Sequence, residues 1–380
     1  MSKEAASNPI SALHSLGQSL WYDNIQRSLL RDGTLEAMIQ RDEIRGMTSN
    51  PSIFEKAISQ TNEYDLDISH LANEGYTAEE IYEHLTVEDV QAAADLFHPL
   101  YARTNAVDGY VSLEVNPHLA YDTQGTVIEA QRLWDLVDRP NLMIKIPATT
   151  TGLPAITASI VQGININVTL LFSLERYSEV MDAYLTGLEQ RLEVAKSLQS
   201  VTSVASFFVS RIDTKADARL GEVICSGHSR ASVASDLVGK IAVSSARLAY
   251  QRFIRVFEGS RFKKLQSRGG CIQRPLWAST STKNPAYSDV KYVEDLIGPG
   301  TINTVPPHTL EAFRHHGRAR LSITENVEAA QQVLDQFESI GVSPNQITKE
   351  LEQEGVEAFA SAFDSLIASI ENRRKQTLRM

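Results

Sequence analysis

Cysteine is nearly absent from this chain of 380 residues: Cys225 and Cys271 are the only two. Two thiols so far apart form neither a disulfide framework nor a CxxC metal or redox motif, so a reducing compartment, the cytoplasm, is expected. Nowhere does an apolar run reach the roughly 18 residues that would suggest a membrane span. The opening residues Met1-Ser-Lys-Glu-Ala-Ala-Ser-Asn-Pro9 lack the apolar core of a signal peptide. Basic charge is in deficit. The 36 Lys and Arg against 47 Asp and Glu leave a formal charge of -11. That excludes the basic surface nonspecific nucleic-acid binding needs, yet permits a local basic pocket for an anion. The nine histidines show no His-Glu-x-x-His spacing, and His315-His316 reads as polar surface sequence. No glycine-rich phosphate fingerprint follows the first strand. No metal and no organic cofactor is expected.

Short strand-like runs alternate with longer helical patterns, the signature of a parallel α/β fold. Eight strand candidates stand out: Ser19–Asp23, Gly46–Asn50, Tyr110–Glu114, Leu142–Ile146, Ile164–Leu170, Val201–Phe208, Pro275–Ser279 and Thr301–Val305. Eight parallel strands with intervening helices predict a closed (β/α)8 TIM barrel, here read as one domain over residues 1–380. Two connections are longer than a barrel requires, about 51–108 and 212–274, and are expected to hold inserted helices. Within the first, Thr77 and Thr86 each look like a helix N-cap followed by an acidic first turn. Within the second, Ala231–Phe257 reads as one helix. Ser173 caps a helix with an apolar stripe from Tyr177 to Leu192, and Ser343-Pro344 opens a last helix whose stripe runs from Ile347 to Ile370. The basic tail after Arg373 is expected to fray.

The segment Asn141-Leu-Met-Ile-Lys145-Ile-Pro147 carries the most chemistry. It reads as a buried strand with a lysine inside it. Burial disfavours the ammonium form, and a neutral amine is a nucleophile toward carbonyls. Lys145 is therefore a candidate Schiff-base former; the plainer alternative is a strand-end lysine that snorkels or pairs with a carboxylate. The other strands also end in polar residues: Asp23, Asn50, Glu114, Asn167 and Thr169, Ser206 with Phe208 and Arg211 just beyond, then Ser279 and Lys283. Each has a plain reading. Asp23 and Asn50 suit turns or caps, Thr169 is a good strand former, and Arg211 could make a surface ion pair. As a set, polar strand ends in a barrel converge on one pocket. A lysine with two carboxylates and hydroxyls suits imine chemistry on a carbonyl substrate. Arg211, Ser279 and Lys283 suit a phosphate.

Several segments together resemble the transaldolases, specifically their longer bacterial type. They are Leu20-Trp-Tyr-Asp23, Gly46-Met-Thr-Ser-Asn50-Pro, Val111-Ser-Leu-Glu114-Val, Ile144-Lys145-Ile-Pro-Ala-Thr, Asn165-Ile-Asn167-Val-Thr169-Leu-Leu-Phe172, Ser206-Phe-Phe208-Val-Ser-Arg211 and Gln273-Arg-Pro-Leu-Trp-Ala-Ser279. The resemblance implies a barrel that moves a dihydroxyacetone unit between sugar phosphates in the non-oxidative pentose phosphate pathway, working as a monomer or homodimer. It assigns the Schiff base to Lys145 and the base at the donor C4 hydroxyl to Asp23. A proton relay through a water falls to Glu114 and Thr169. Asn50 and Asn167 would orient the dihydroxyacetone hydroxyls, Arg211 would hold the phosphate, and Ser206 and Phe208 would shape the pocket. One element departs: shorter relatives read Ser-Pro-Phe-Val-Gly-Arg where this chain has Ser206-Phe-Phe-Val-Ser-Arg211. Their second cationic contact has Lys283 as its nearest candidate here. A related lyase that releases free dihydroxyacetone, and a non-catalytic sugar-phosphate-binding barrel, are the alternatives. Glu114 and Phe208 favour transfer over the lyase, whose corresponding positions are a non-acidic residue and a tyrosine.

Overall fold

The apolar runs become strands buried on both faces, as parallel strands covered by helices must be. A computed structural model describes residues 8–226 and 229–379; most of the N-terminal stretch that lacks a signal core lies outside them. The strands are β1 (Gln18–Asp23), β2 (Gly46–Thr48), β3 (Tyr110–Glu114), β4 (Leu142–Pro147), β5 (Ile166–Leu171), β6 (Ser203–Phe208), β7 (Gln273–Ala278) and β8 (Thr301–Val305). All pair in parallel in sequence order, and β1 pairs with β8 to close the barrel. Closure leaves no strand edge exposed. Gly46 is a glycine because the Trp21 indole lies where a side chain would stand; a Cβ there would sit 2.5 Å from the ring.

The bottom of the barrel is plugged by a buried cation. Arg274 of β7 donates to Asp108 (2.9 Å) and to the Ser19 hydroxyl (2.7 Å), and to the carbonyls of Val107 and Thr301. A buried guanidinium is tolerated because nearly every N–H finds an acceptor. Access to the barrel interior is thereby left to the opposite, C-terminal face.

The strand ends differ from the sequence reading where caps intervene. β2 stops at Thr48 rather than Asn50, because the Asn50 side chain accepts from Ile53 N (3.1 Å) and caps the helix Pro51–Ser59. Thr77 forms a full capping box for the helix Ala78–Arg103. Thr86, expected to start another, lies inside that same helix, its hydroxyl bonded to the Tyr82 carbonyl. The helix expected over Ala231–Phe257 is two, Ala231–Leu237 and Ile241–Phe257. Gly239 breaks it with φ +71, and a Cβ there would meet the Tyr287 hydroxyl at 2.7 Å. Ser173 and Ser343 cap the helices Leu174–Glu193 and Pro344–Thr377 as read.

The tail does not fray at Arg373. The last helix runs on to Thr377, held by Arg373 on Asp65 and the Ser59 carbonyl and by Arg374 on the Tyr76 carbonyl. This helix packs along Pro51–Ser59 and over the barrel mouth. Among the described residues no helix is long and apolar enough to cross a membrane, and Cys225 and Cys271 are exposed free thiols.

Candidate active site

Parallel register sets the centre of the site. Glu114 stands opposite Lys145, and Lys145 opposite Asn167, so β3, β4 and β5 present one polar row. Thr169 lies two residues on from Asn167, on the same face and one step nearer the mouth. After it the chain bulges: the β5–β6 register shifts between Val168 and Leu171, and Leu170 takes the left-handed φ of 56°. Ser279, just beyond the end of β7, is left-handed too (φ 54°). Backbone strain of this kind collects where side chains are aimed for function.

Lys145 Nζ donates to the Ser49 carbonyl (2.9 Å) and lies 3.3 Å from Glu114 Oε2. Both side chains are only 5% exposed. Although the pair is close, neither Glu114 oxygen accepts a well-aligned hydrogen bond, and the Thr169 hydroxyl also lacks a partner. Burial pushes the Glu114 carboxyl above its usual pKa, Lys145 opposes this, and Asp23 adds to it.

Asp23, half-buried at the end of β1, accepts from the Thr48 hydroxyl (2.6 Å). Thr48 has one proton to give, so the 2.6 Å contact with Thr304 is donated by Thr304. Burial raises the Asp23 pKa; the Thr48 bond, then Lys145, Arg211 and Lys283, pull it back. Asn167 is fixed on both sides, donating to Ser112 (2.9 Å) and accepting from Ser206 (2.6 Å).

Above this row opens a pocket of about 640 Å3. Of the residues named from sequence it is lined by Asp23, Asn50, Lys145, Ser206, Phe208, Arg211, Ser279 and Lys283. Glu114, Asn167 and Thr169 lie behind that lining. Ser279 also has a structural role, since its carbonyl accepts from Ser210 N (2.9 Å) and anchors the start of the helix Ser210–Cys225. Arg211 sits in the first turn of that helix, where backbone N–H groups favour anions. Its guanidinium lies over Phe208 (5.4 Å) and Phe359 (6.0 Å). Lys283, on the rim, donates to Ser281 (2.8 Å). Partial burial, then repulsion from Arg211 and Lys56, draws its pKa below the ordinary lysine value.

Lys56 and Phe359 went unread in the sequence, and both line the pocket. Phe359 belonged visibly to an apolar stripe, but nothing local said the stripe crosses the mouth. Lys56 carried no signal, being one lysine on a helix among many. Among the described residues, Arg211, Lys56 and Lys283 make no ion pair with a carboxylate, although most other arginines do. Three cations facing one pocket, none in ion-pair contact with a carboxylate, can receive an anion. His315 and His316 are exposed and paired with Glu311 and Asp289. No group of three or more His, Cys, Asp or Glu among the described residues is placed to hold a metal ion.

Comparison with known proteins agrees with this geometry. The family model described as transaldolase/fructose-6-phosphate aldolase matches residues 20–370. A transaldolase of Thermobifida fusca is 47% identical over 361 residues, covering 95% of this chain and 96% of that protein. One from Trichodesmium erythraeum is 43% identical, covering 97% and 98%. One from Mycobacterium tuberculosis is 45% identical, covering 95% and 96%.

Proposed function

Because this chain belongs to the transaldolase/fructose-6-phosphate aldolase family and is an enzyme of that family, we propose that it transfers a dihydroxyacetone unit through a Schiff base on Lys145. The donor is sedoheptulose 7-phosphate and the acceptor glyceraldehyde 3-phosphate, giving erythrose 4-phosphate and fructose 6-phosphate. The setting is the non-oxidative pentose phosphate pathway in the cytoplasm, the enzyme being a monomer or homodimer. The observation that carries this reading is the Lys145–Glu114 pair, 3.3 Å apart and buried at the floor of a pocket rimmed by unpaired cations.

The steps follow from the groups. Arg211, Lys283 and the helix N-terminus at Ser210 take the donor phosphate, which places the C2 carbonyl at the floor. The Lys145 amine attacks C2. Glu114, whose carboxyl is shifted by burial toward holding its proton, gives a proton to the C2 oxygen, and water leaves. Thr169, whose hydroxyl has no other partner, holds that water with Glu114. The iminium draws electrons from the C3–C4 bond as Asp23 takes the C4 hydroxyl proton, and the aldehyde departs. Asn167, locked between Ser112 and Ser206, and Asn50 orient the three-carbon unit until the acceptor arrives. Acid and base are separate carboxylates in different surroundings, which lets one pocket run both proton transfers.

Borohydride reduction in the presence of fructose 6-phosphate, followed by peptide mass mapping, tests this. A dihydroxyacetone-sized adduct on Lys145 is expected. An adduct on another lysine, or none despite binding, overturns the assignment. Accumulation of free dihydroxyacetone in the presence of acceptor would make the protein a lyase.

A further inference from the structure

The Lys145–Glu114 pair is a partition between two cavities. Lys145 lines the mouth pocket and Glu114 does not; Glu114 lines a second pocket, of about 320 Å3, which Lys145 does not reach. This second pocket lies between the helices Ala78–Arg103 and Thr123–Val137 and is closed on one side by Phe363 of the last helix. Its inner end is Leu113 and Glu114. Its outer end carries Glu79, Glu80 and Arg132, all exposed. Arg132 there bridges Glu83 (2.5 Å) and Glu129 (2.8 Å). Tyr82 stands along the wall, its ring edge-on to Phe363 at 5.2 Å.

Glu114 is 8% exposed, and both its oxygens lack a hydrogen-bond partner. Buried polar atoms are ordinarily satisfied, so a carboxyl whose two oxygens are sealed from solvent and accept no hydrogen bond, on a residue at the inner end of a cavity, calls for an explanation. The Schiff-base reading supplies one, and the inference rests on that reading. Each imine formed breaks the C2–O bond of the carbinolamine. The Glu114 proton goes to the departing oxygen, and one water is released. Hydrolysis consumes one water and returns the proton. Throughout, the sugar is bonded to Lys145 and fills the front pocket.

We propose that the second pocket is a rear passage by which water and protons exchange between solvent and Glu114 while the front pocket is occupied by the covalently held sugar. Tyr82 stands along its wall and the Arg132–Glu83–Glu129 bridge at its outer end as a polar gate, and its inner end opens for water to reach the sealed Glu114 oxygens. Front access serves the sugars and rear access serves the water they displace.

The test follows oxygen. The protein is incubated with fructose 6-phosphate in 18O-water without acceptor, and two quantities are read. One is the amount of borohydride-trapped adduct; the other is the rate at which 18O enters C2 of the recovered sugar. Thr86→Leu and Leu119→Trp narrow the passage from opposite walls, and neither residue lines the front pocket. Expected is adduct within about twofold of the unaltered protein but 18O incorporation slower by about tenfold or more, as for a gated step. Tyr82→Phe keeps the ring against Phe54 and Phe363 and removes only the hydroxyl, so it folds even where a bulky variant does not. A smaller slowing in the same direction, about threefold, is expected there if the hydroxyl passes protons. An unchanged ratio of exchange to adduct in the folded variants overturns the passage alone. No adduct in the unaltered protein overturns the Schiff-base reading, and the passage falls with it.

Discussion

Replacing Arg211 with methionine isolates the phosphate contact. The guanidinium lies over Phe208 and Phe359 at 5.4 and 6.0 Å and makes no ion pair with any described carboxylate. Its removal therefore breaks no ion pair, Asp23 keeping Thr48, Lys145 and Lys283 beside it, and the methionine stem retains most of the packing. Hydrogen bonds to a charged group contribute about 1.5–3 kcal/mol. At 1.36 kcal/mol per decade that is a loss of about 13- to 160-fold in kcat/KM for a phosphorylated donor. Two cation–π contacts go, at about 0.5–1 kcal/mol each, while repulsion with Lys283 is relieved, so thermal stability stays close to that of the parent. The assay compares fructose 6-phosphate with fructose at matched concentration. Only the phosphorylated donor should suffer. A second signature follows from Asp23, whose carboxyl Arg211 helps to hold down. Without that cation its pKa rises further, and the acidic limb of the kcat profile moves to higher pH. An equal loss on both donors, or no loss on either, would show that Arg211 does not receive the phosphate.

Lys145→Ala should lose turnover by several orders of magnitude while its circular dichroism and melt remain native-like; retained activity would end the Schiff-base assignment. Glu114→Gln should slow single-turnover imine formation by about 10²–10⁴-fold, the usual reach of a general acid, and an unchanged trapping rate removes Glu114 from the proton relay. Asp213 is buried at 1% exposure between Tyr292 and the Ala242 N–H, and burial raises its pKa to about 6. A raised folded-state pKa means the stability it contributes is fully present below about 4, the unfolded value, and is lost as pH rises through about 6. Asp213→Asn should thus unfold at higher urea than the parent at pH 7, by an amount on the order of 1–3 kcal/mol, with the difference closing toward pH 4. A constant difference across that range refutes the assignment.

The barrel was legible because its strands are short, apolar and separated by capped helices. Tyr110–Glu114 and Thr301–Val305 match the observed strands residue for residue, and the others shift by a few residues where a cap or bulge takes over. Asn50 shows how one side chain does two things: it caps a helix and lines the pocket, and local sequence displays only the first. Thr86 misled because a threonine before acidic residues looks the same at a helix start as inside one; the difference lies in the Tyr82 carbonyl one turn back. Gly239 could have been read as a breaker within Ala231–Phe257, but the Tyr287 hydroxyl that leaves no room for a side chain there comes from far along the chain. The polar strand ends were visible as types, whereas their partners were not. Nothing near Lys145 announces the Ser49 carbonyl, and nothing near Arg211 announces Phe359, which comes from the far end of the sequence.

That last contact fixes when the pocket comes into being. Every strand end is in place once β8 has been made, yet one wall of the mouth is Phe359, on a helix that begins only at Pro344. During synthesis Lys145 and all eight strands are made before Phe359, the second ring that lies over Arg211. The anion site therefore acquires its final shape only when the last helix docks. Ordered synthesis from one end to the other makes the C-terminal helix the closing step of site assembly.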